Sequence, residues 1–140
     1  RAVIQRVIQA TITIDGLDVS RIGPGLLILL GIEEIDDATD GDWLAGKIAK
    51  MRIFGDSEGK MNWSVMDIGG EVLVVSQFTL HGSTKKGNRP SFIRSAAPSH
   101  SEPLYENFCA AIEREIGRSA GRGVFGGDMK VSLVNDGPVT

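Results

Sequence analysis

The chain has 140 residues, of which 41% are hydrophobic and 24% charged, and its formal net charge is -3. That length suits one domain with a single real core, and the composition excludes a disordered chain. The negative balance excludes a protein that wraps a nucleic-acid backbone over a broad basic surface, so RNA would have to be held through a local basic patch.

Cys109 is the single cysteine, which leaves no disulfide framework and no cysteine cluster for a metal. The longest apolar stretch, Leu26 to Gly31, is far too short to span a bilayer. No charged, apolar and cleavage pattern opens the chain. A cytosolic protein without a metal or other cofactor is expected.

Ala2 to Ile14 reads as a strand, rich in β-branched residues and alternating at Thr11-Ile12-Thr13-Ile14. Asp15-Gly16 signals a tight hairpin, with Leu17 to Ile22 as the return strand. After Gly23-Pro24-Gly25, the unbroken run Leu26 to Leu30 predicts a strand covered on both faces. Asp36 to Asp42 supplies capping residues for a helix with Trp43, Leu44, Ile48 and Met51 on one face. A turn at Gly55 to Gly59 and an irregular stretch from Lys60 to Gly70 precede the strand Glu71 to Val75.

A long loop from His81 to Pro98 follows. A second helix is expected to begin near Ser101-Glu102-Pro103, with its proline in the first turn. Leu104, Phe108, Ile112 and Ile116 form its buried stripe, and Gly117 ends it. Gly123 to Thr140 returns to strand. The expected class is α+β: a single domain over 1–140, with a curved or barrel-like, mostly antiparallel sheet and two main helices packed on one side.

The strand Val72-Leu73-Val74-Val75 delivers Ser76-Gln77-Phe78-Thr79-Leu80 to the surface. Ser76 and Thr79 are hydroxyl residues, but a hydroxyl nucleophile needs an adjacent base held by a third group. His81 lies two residues from Thr79 and His100 lies before the second helix, so no triad is legible. The G-x-S-x-G elbow is absent. Ser76 and Thr79 could equally satisfy backbone groups at a strand end. Gly121, Gly123 and Gly126 fit G-x-G-x-x-G, yet no strand is expected before them and no helix after, so no dinucleotide site is implied. Lys85, Lys86 and Arg89, with Arg94 beyond, make the following loop locally basic. Cys109 reads as a small packing residue.

Ser76-Gln77-Phe78-Thr79-Leu80, taken with the closing Asn135-Asp136-Gly137-Pro138-Val139-Thr140, resembles the signatures of the D-aminoacyl-tRNA deacylases, also called D-tyrosyl-tRNA deacylases. The resemblance covers nearly the whole chain. It implies a homodimeric hydrolase of the ester in D-aminoacyl-tRNA, and of glycyl-tRNA, that spares the L-aminoacyl ester. By resemblance, Gly137 and Pro138 form a cis peptide that reaches into the partner's site and excludes an L side chain. Rigid backbone can reject one enantiomer while ignoring side-chain identity.

The resemblance further implies that Gln77, Phe78 and Thr79 carry the catalytic site, with the N–H groups near Phe78 and Thr79 as oxyanion donors. Ser76 would help shape the pocket, and the neighbouring 2′-hydroxyl of the terminal adenosine would assist the attacking water. Val124-Phe125-Gly126-Gly127-Asp128-Met129 matches the segment that packs around the terminal adenine, giving Phe125 and Met129 to substrate binding. Gly127 stands where members often have alanine. Lys85, Lys86 and Arg89 would meet tRNA phosphates, and Arg89-Pro90-Ser91-Phe92 fits the same pattern. Arg52-Ile53-Phe54 and Gly59-Lys60-Met61-Asn62 also recur, in fold or dimer packing. Two alternatives stay open: a non-catalytic homodimeric module that binds tRNA 3′ ends or a small ligand, and a general Ser/Thr esterase using Thr79.

Overall fold

One long strand organises the molecule. In the computed structural model, which describes residues 1–140, β1 (Ala2–Ile14) pairs antiparallel with three others. The hairpin to β2 (Leu17–Ile22) turns on Asp15 and Gly16, both at positive φ (49° and 78°), as an Asp-Gly hairpin turn requires. The other half of β1 pairs with β3 (Gly25–Leu30), and β8 (Lys130–Asn135) runs along the edge of β1 opposite β2.

β3 pairs parallel with β6 (Glu71–Ser76), which pairs parallel with the short β7 (Gly121–Arg122). The register sets Gly25 against Glu71, where an added Cβ would lie 1.8 Å from the Glu71 carbonyl oxygen. β7 curls round to meet β2: a Cβ at Gly121 would lie 2.7 Å from Ser20 Oγ. The sheet is therefore mixed and nearly closed into a barrel. A separate hairpin of β4 (Phe54–Gly55) and β5 (Met61–Trp63) occupies part of the stretch expected to be irregular.

Both faces of β3 and β6 are buried, as their continuous apolar runs predict. Leu26, Ile28, Leu30, Val72 and Val74 face α1 (Ala38–Lys50) and α2 (Pro98–Ile116), against Ile48, Tyr105, Phe108 and Ile112. Leu27, Leu73 and Val75 face the barrel interior with Val7, Ala10, Ile12 and Ile22. The α+β class, with two helices on one side of a curved sheet, is as the sequence predicts.

Three local expectations need correction. Trp43 is 66% exposed beneath Lys47, and α1 instead buries Ala45, Ile48 and Ala49, because close packing on α2 selects small side chains. α2 starts at Pro98 with Ala97 as its cap, so Pro98 is the first-turn proline and Pro103 sits inside the helix. A two-residue strand, β7, does open the run Gly121 to Gly126, but no helix follows it. The Asp37–Asp40 capping box and Gly117 at φ 69° bound the helices as read.

Candidate active site

β6 ends at Ser76, and Gln77 N–H donates to Leu30 O at 2.7 Å, which prolongs the parallel pairing by one bond. The chain then winds into a single 3₁₀ turn, Phe78–His81. A turn of this kind leaves its leading N–H groups without internal partners. Those of Phe78 and Thr79 donate to no acceptor in the chain.

Beside this turn lies a cleft of about 580 Å³. Ser76, Gln77 and Phe78 line one wall, Phe125, Gly126 and Met129 the other, and Ser95 and Ala96 a third. The β6–β7 pairing brings the two signature regions together, because Leu73 and Val74 stand opposite Gly121 and Arg122. Ser95 Oγ donates to Phe78 O at 2.8 Å, and the Phe78 and Phe92 rings meet edge to face at 5.1 Å. Phe78 remains 57% exposed and so is available to a ligand.

Phe125 and Met129 serve packing as well as the cleft. Phe125 leans on Tyr105 at 6.1 Å and Met129 packs on the barrel core. Gly123 makes room for Met129, since a Cβ there would lie 2.6 Å from its sulfur. Tyr105 donates to Val74 O at 2.9 Å, and burial raises its phenol well above the ordinary tyrosine range. Cys109 is fully buried on α2, and burial pushes its thiol up to about 11.

Thr79 does not line the cleft. Its hydroxyl accepts a hydrogen bond from the Gln77 side-chain amide, which cannot remove a proton. His81 turns inward, away from the role of a base for Thr79: its Nδ1 lies 3.1 Å from Glu33 Oε1 and its side chain is 2% exposed. His100 Nε2 meets Asp36 O at 2.9 Å rather than Thr79. No group of three His, Cys, Asp or Glu side chains is arranged to hold a metal ion.

Two sets of predicted residues stand apart from the cleft. Lys85, Lys86 and Arg89 lie exposed in the loop after the turn. Gly137 and Pro138, joined by a cis peptide, lie beside β1. Their anchor is Arg6, which the sequence reading missed. Arg6 Nε donates to Asp136 O at 3.0 Å and its Nη1 to Ile53 O at 2.6 Å, while its main chain exchanges bonds with Asp136 and Val139. Its guanidinium sits 5.9 Å above the Phe54 ring. The Arg52-Ile53-Phe54 motif thus supports the terminal segment, and Arg52 in turn holds Asn62 through its carbonyl and side chain. An arginine set in the long strand was the available signal.

Residues 3–140 match the family model described as D-Tyr-tRNA(Tyr) deacylase. The chain belongs to this family. Among the relatives, a D-aminoacyl-tRNA deacylase of Flavobacterium johnsoniae is 57% identical over 140 residues, covering 100% of this chain and 93% of that protein. A solved structure named c-Myc DNA Unwinding Element Binding Protein superposes with TM-score 0.90 at 38% identity, over 99% of this chain and 93% of that one. A second, described as a probable eukaryotic D-amino acid tRNA deacylase, gives 0.82 at 19% identity, over 98% and 94%, a likeness of fold. The family resemblance and fold class read from the sequence are borne out. No helix is long and apolar enough to cross a membrane.

Proposed function

We propose that the protein hydrolyses the ester of D-aminoacyl-tRNA, releasing tRNA and the free D-amino acid, and leaves L-aminoacyl-tRNA intact. The observation that carries this reading is the cleft at the end of β6. Phe78 lines it together with Phe125 and Met129, and the N–H groups of Phe78 and Thr79 at the adjoining turn have no acceptor within the chain, in a member of the deacylase family.

The chemistry asked of the protein is positioning and charge stabilisation. The ester carbonyl sits at the turn, where the two N–H groups stabilise the oxyanion of the tetrahedral intermediate. Gln77 and Ser76 shape the pocket, and Phe125 and Met129 hold the terminal adenine. No side-chain base accompanies Thr79, which supports attack by water assisted by the ribose 2′-hydroxyl rather than by a threonine nucleophile. Lys85, Lys86 and Arg89 contact phosphates beyond the site. The protein acts in the cytoplasm and uses no cofactor.

Gly137 and Pro138 do not line the cleft of their own chain. This supports a homodimer in which each chain's segment, braced by Arg6, enters the partner's cleft and bars an L side chain. Glycine has nothing to bar, so glycyl-tRNA is also a substrate. The test is turnover of D-Tyr-tRNA, L-Tyr-tRNA and Gly-tRNA at sub-stoichiometric protein. Loss of the D and glycyl esters with the L ester intact is expected, and turnover of none of the three refutes the enzyme. The missing acid-base pair, together with the DNA-element-binding name of one 38% identical structure, favours a binding module as the second reading. Retained tRNA affinity without turnover would establish it.

A further inference from the structure

His81 closes the turn that carries Phe78 and Thr79, yet its ring is buried and takes no part in the mechanism above. Both ring nitrogens and Glu33 Oε1 are buried without a well-aligned hydrogen bond. Nδ1 nevertheless lies 3.1 Å from Oε1, close enough for a polar contact, and Arg94 Nη2 pairs with the same oxygen. A polar ring placed this way costs stability that an apolar side chain of similar size would not.

Glu33 occupies a junction. It follows β3, its N–H is held by Asp36 Oδ2 at 2.8 Å, and it bridges to Ser95. Ser95 is the residue whose hydroxyl holds the Phe78 carbonyl, and Arg94 precedes it. One carboxylate, only 16% exposed, therefore joins the end of the catalytic turn to the loop that forms the third wall of the cleft. Gly31 lets the turn come this close: a Cβ there would lie 3.0 Å from Gln77 O and 3.1 Å from the His81 ring.

We propose that His81, Glu33 and Arg94 form a positioning link that sets the turn bearing the Phe78 and Thr79 N–H groups against the wall formed by Ser95 and Ala96. This rests on the deacylase reading of the same cleft. The link acts through polar contact, so its removal leaves packing intact and misplaces the oxyanion donors.

The test compares His81→Leu, which fills the space, with His81→Asn, which keeps a donor near the Nδ1 position. Thermal stability is expected in the order Leu at least equal to His, with Asn below both. Activity on D-Tyr-tRNA is expected in a different order. Asn should retain at least about a third of kcat, and Leu should lose about tenfold or more with KM within about twofold, because displaced catalytic groups cost rate before affinity. Activity that follows stability, or three proteins equal within about twofold, overturns the link. Should His81→Leu fail to fold, Glu33→Met, which removes both acceptor oxygens, decides by the same criterion: a kcat loss at constant KM supports the link, and unchanged kcat overturns it. The wild-type protein separates the two layers, since its inactivity refutes the deacylase reading whereas its activity beside equally active variants refutes the link alone.

Discussion

Arg6→Met is the perturbation that most directly tests how the terminal segment is held. Methionine keeps an unbranched apolar stem but deletes the guanidinium that donates to Asp136 O and Ile53 O. Hydrogen bonds from a charged donor contribute about 1.5–3 kcal/mol each when well buried. The Arg6 side chain is 13% exposed, which places it near that regime, while its ionic partner Asp136 is 49% exposed and rehydrates freely. Losing both carbonyl contacts, with partial rehydration of the acceptors, should therefore cost about 2–3 kcal/mol rather than their full sum. For a chain of this size that is a fall in Tm of about 6–10 °C. If Gly137 and Pro138 form the chirality filter, the loosened segment should also raise hydrolysis of L-Tyr-tRNA or lower that of D-Tyr-tRNA, below the new Tm and with the oligomeric state unchanged. Thermal unfolding, sedimentation and single-turnover deacylation on both esters read these effects separately. Lower stability with unchanged turnover of both esters would refute the role given to the segment.

Thr79→Ala should keep D-Tyr-tRNA hydrolysis within about tenfold of the wild type, because its hydroxyl faces only an amide; abolition, with loss of activity on simple activated esters, would restore the threonine nucleophile. Replacing Lys85, Lys86 and Arg89 together by alanine should weaken tRNA binding and flatten its salt dependence by roughly 2–3 logarithmic steps per decade of salt, if all three meet phosphates; an unchanged slope in a salt titration would remove the loop from the interface. Burial raises the Cys109 thiol from 9.0 to about 11, so the folded state favours the proton: its contribution is complete below pH 9 and is lost as pH rises towards 11. Denaturant titrations across that window should show falling stability, partly flattened in Cys109→Ala, and iodoacetamide at pH 8 should label the thiol only after unfolding.

What could be read from the chain divides by the range of the interactions involved. The Asp15-Gly16 hairpin is decided by two neighbouring residues, and two-sided burial of β3 and β6 by their own apolar runs. Those features were legible. The start of α2 is not marked in the sequence, because its cap, Ala97, offers no side-chain hydrogen bond and nothing local distinguishes Pro98 from Pro103. Hydrophobicity sets Trp43 on one face with Leu44, Ile48 and Met51, whereas helix packing at short range rewards Ala45 and Ala49.

The site was harder still, because its walls come from segments far apart in sequence, joined by the two-residue pairing of β7 with β6 and by contacts such as Ser95 with Phe78. The residues alone show a polar strand end and a basic loop, and the family resemblance gives their joint meaning. Arg6 with Asp136, and His81 with Glu33 and Arg94, remained invisible because each contact joins residues far apart in sequence. These contacts share a purpose. Each holds a short backbone segment, Gly137-Pro138 in one case and the Phe78–His81 turn in the other, by a buried or half-buried polar side chain reaching across the fold. A site that works through backbone N–H and carbonyl groups needs such braces, since a main chain at a strand end has little side-chain packing to fix it. The sequence displays the backbone segments as motifs and scatters their supports.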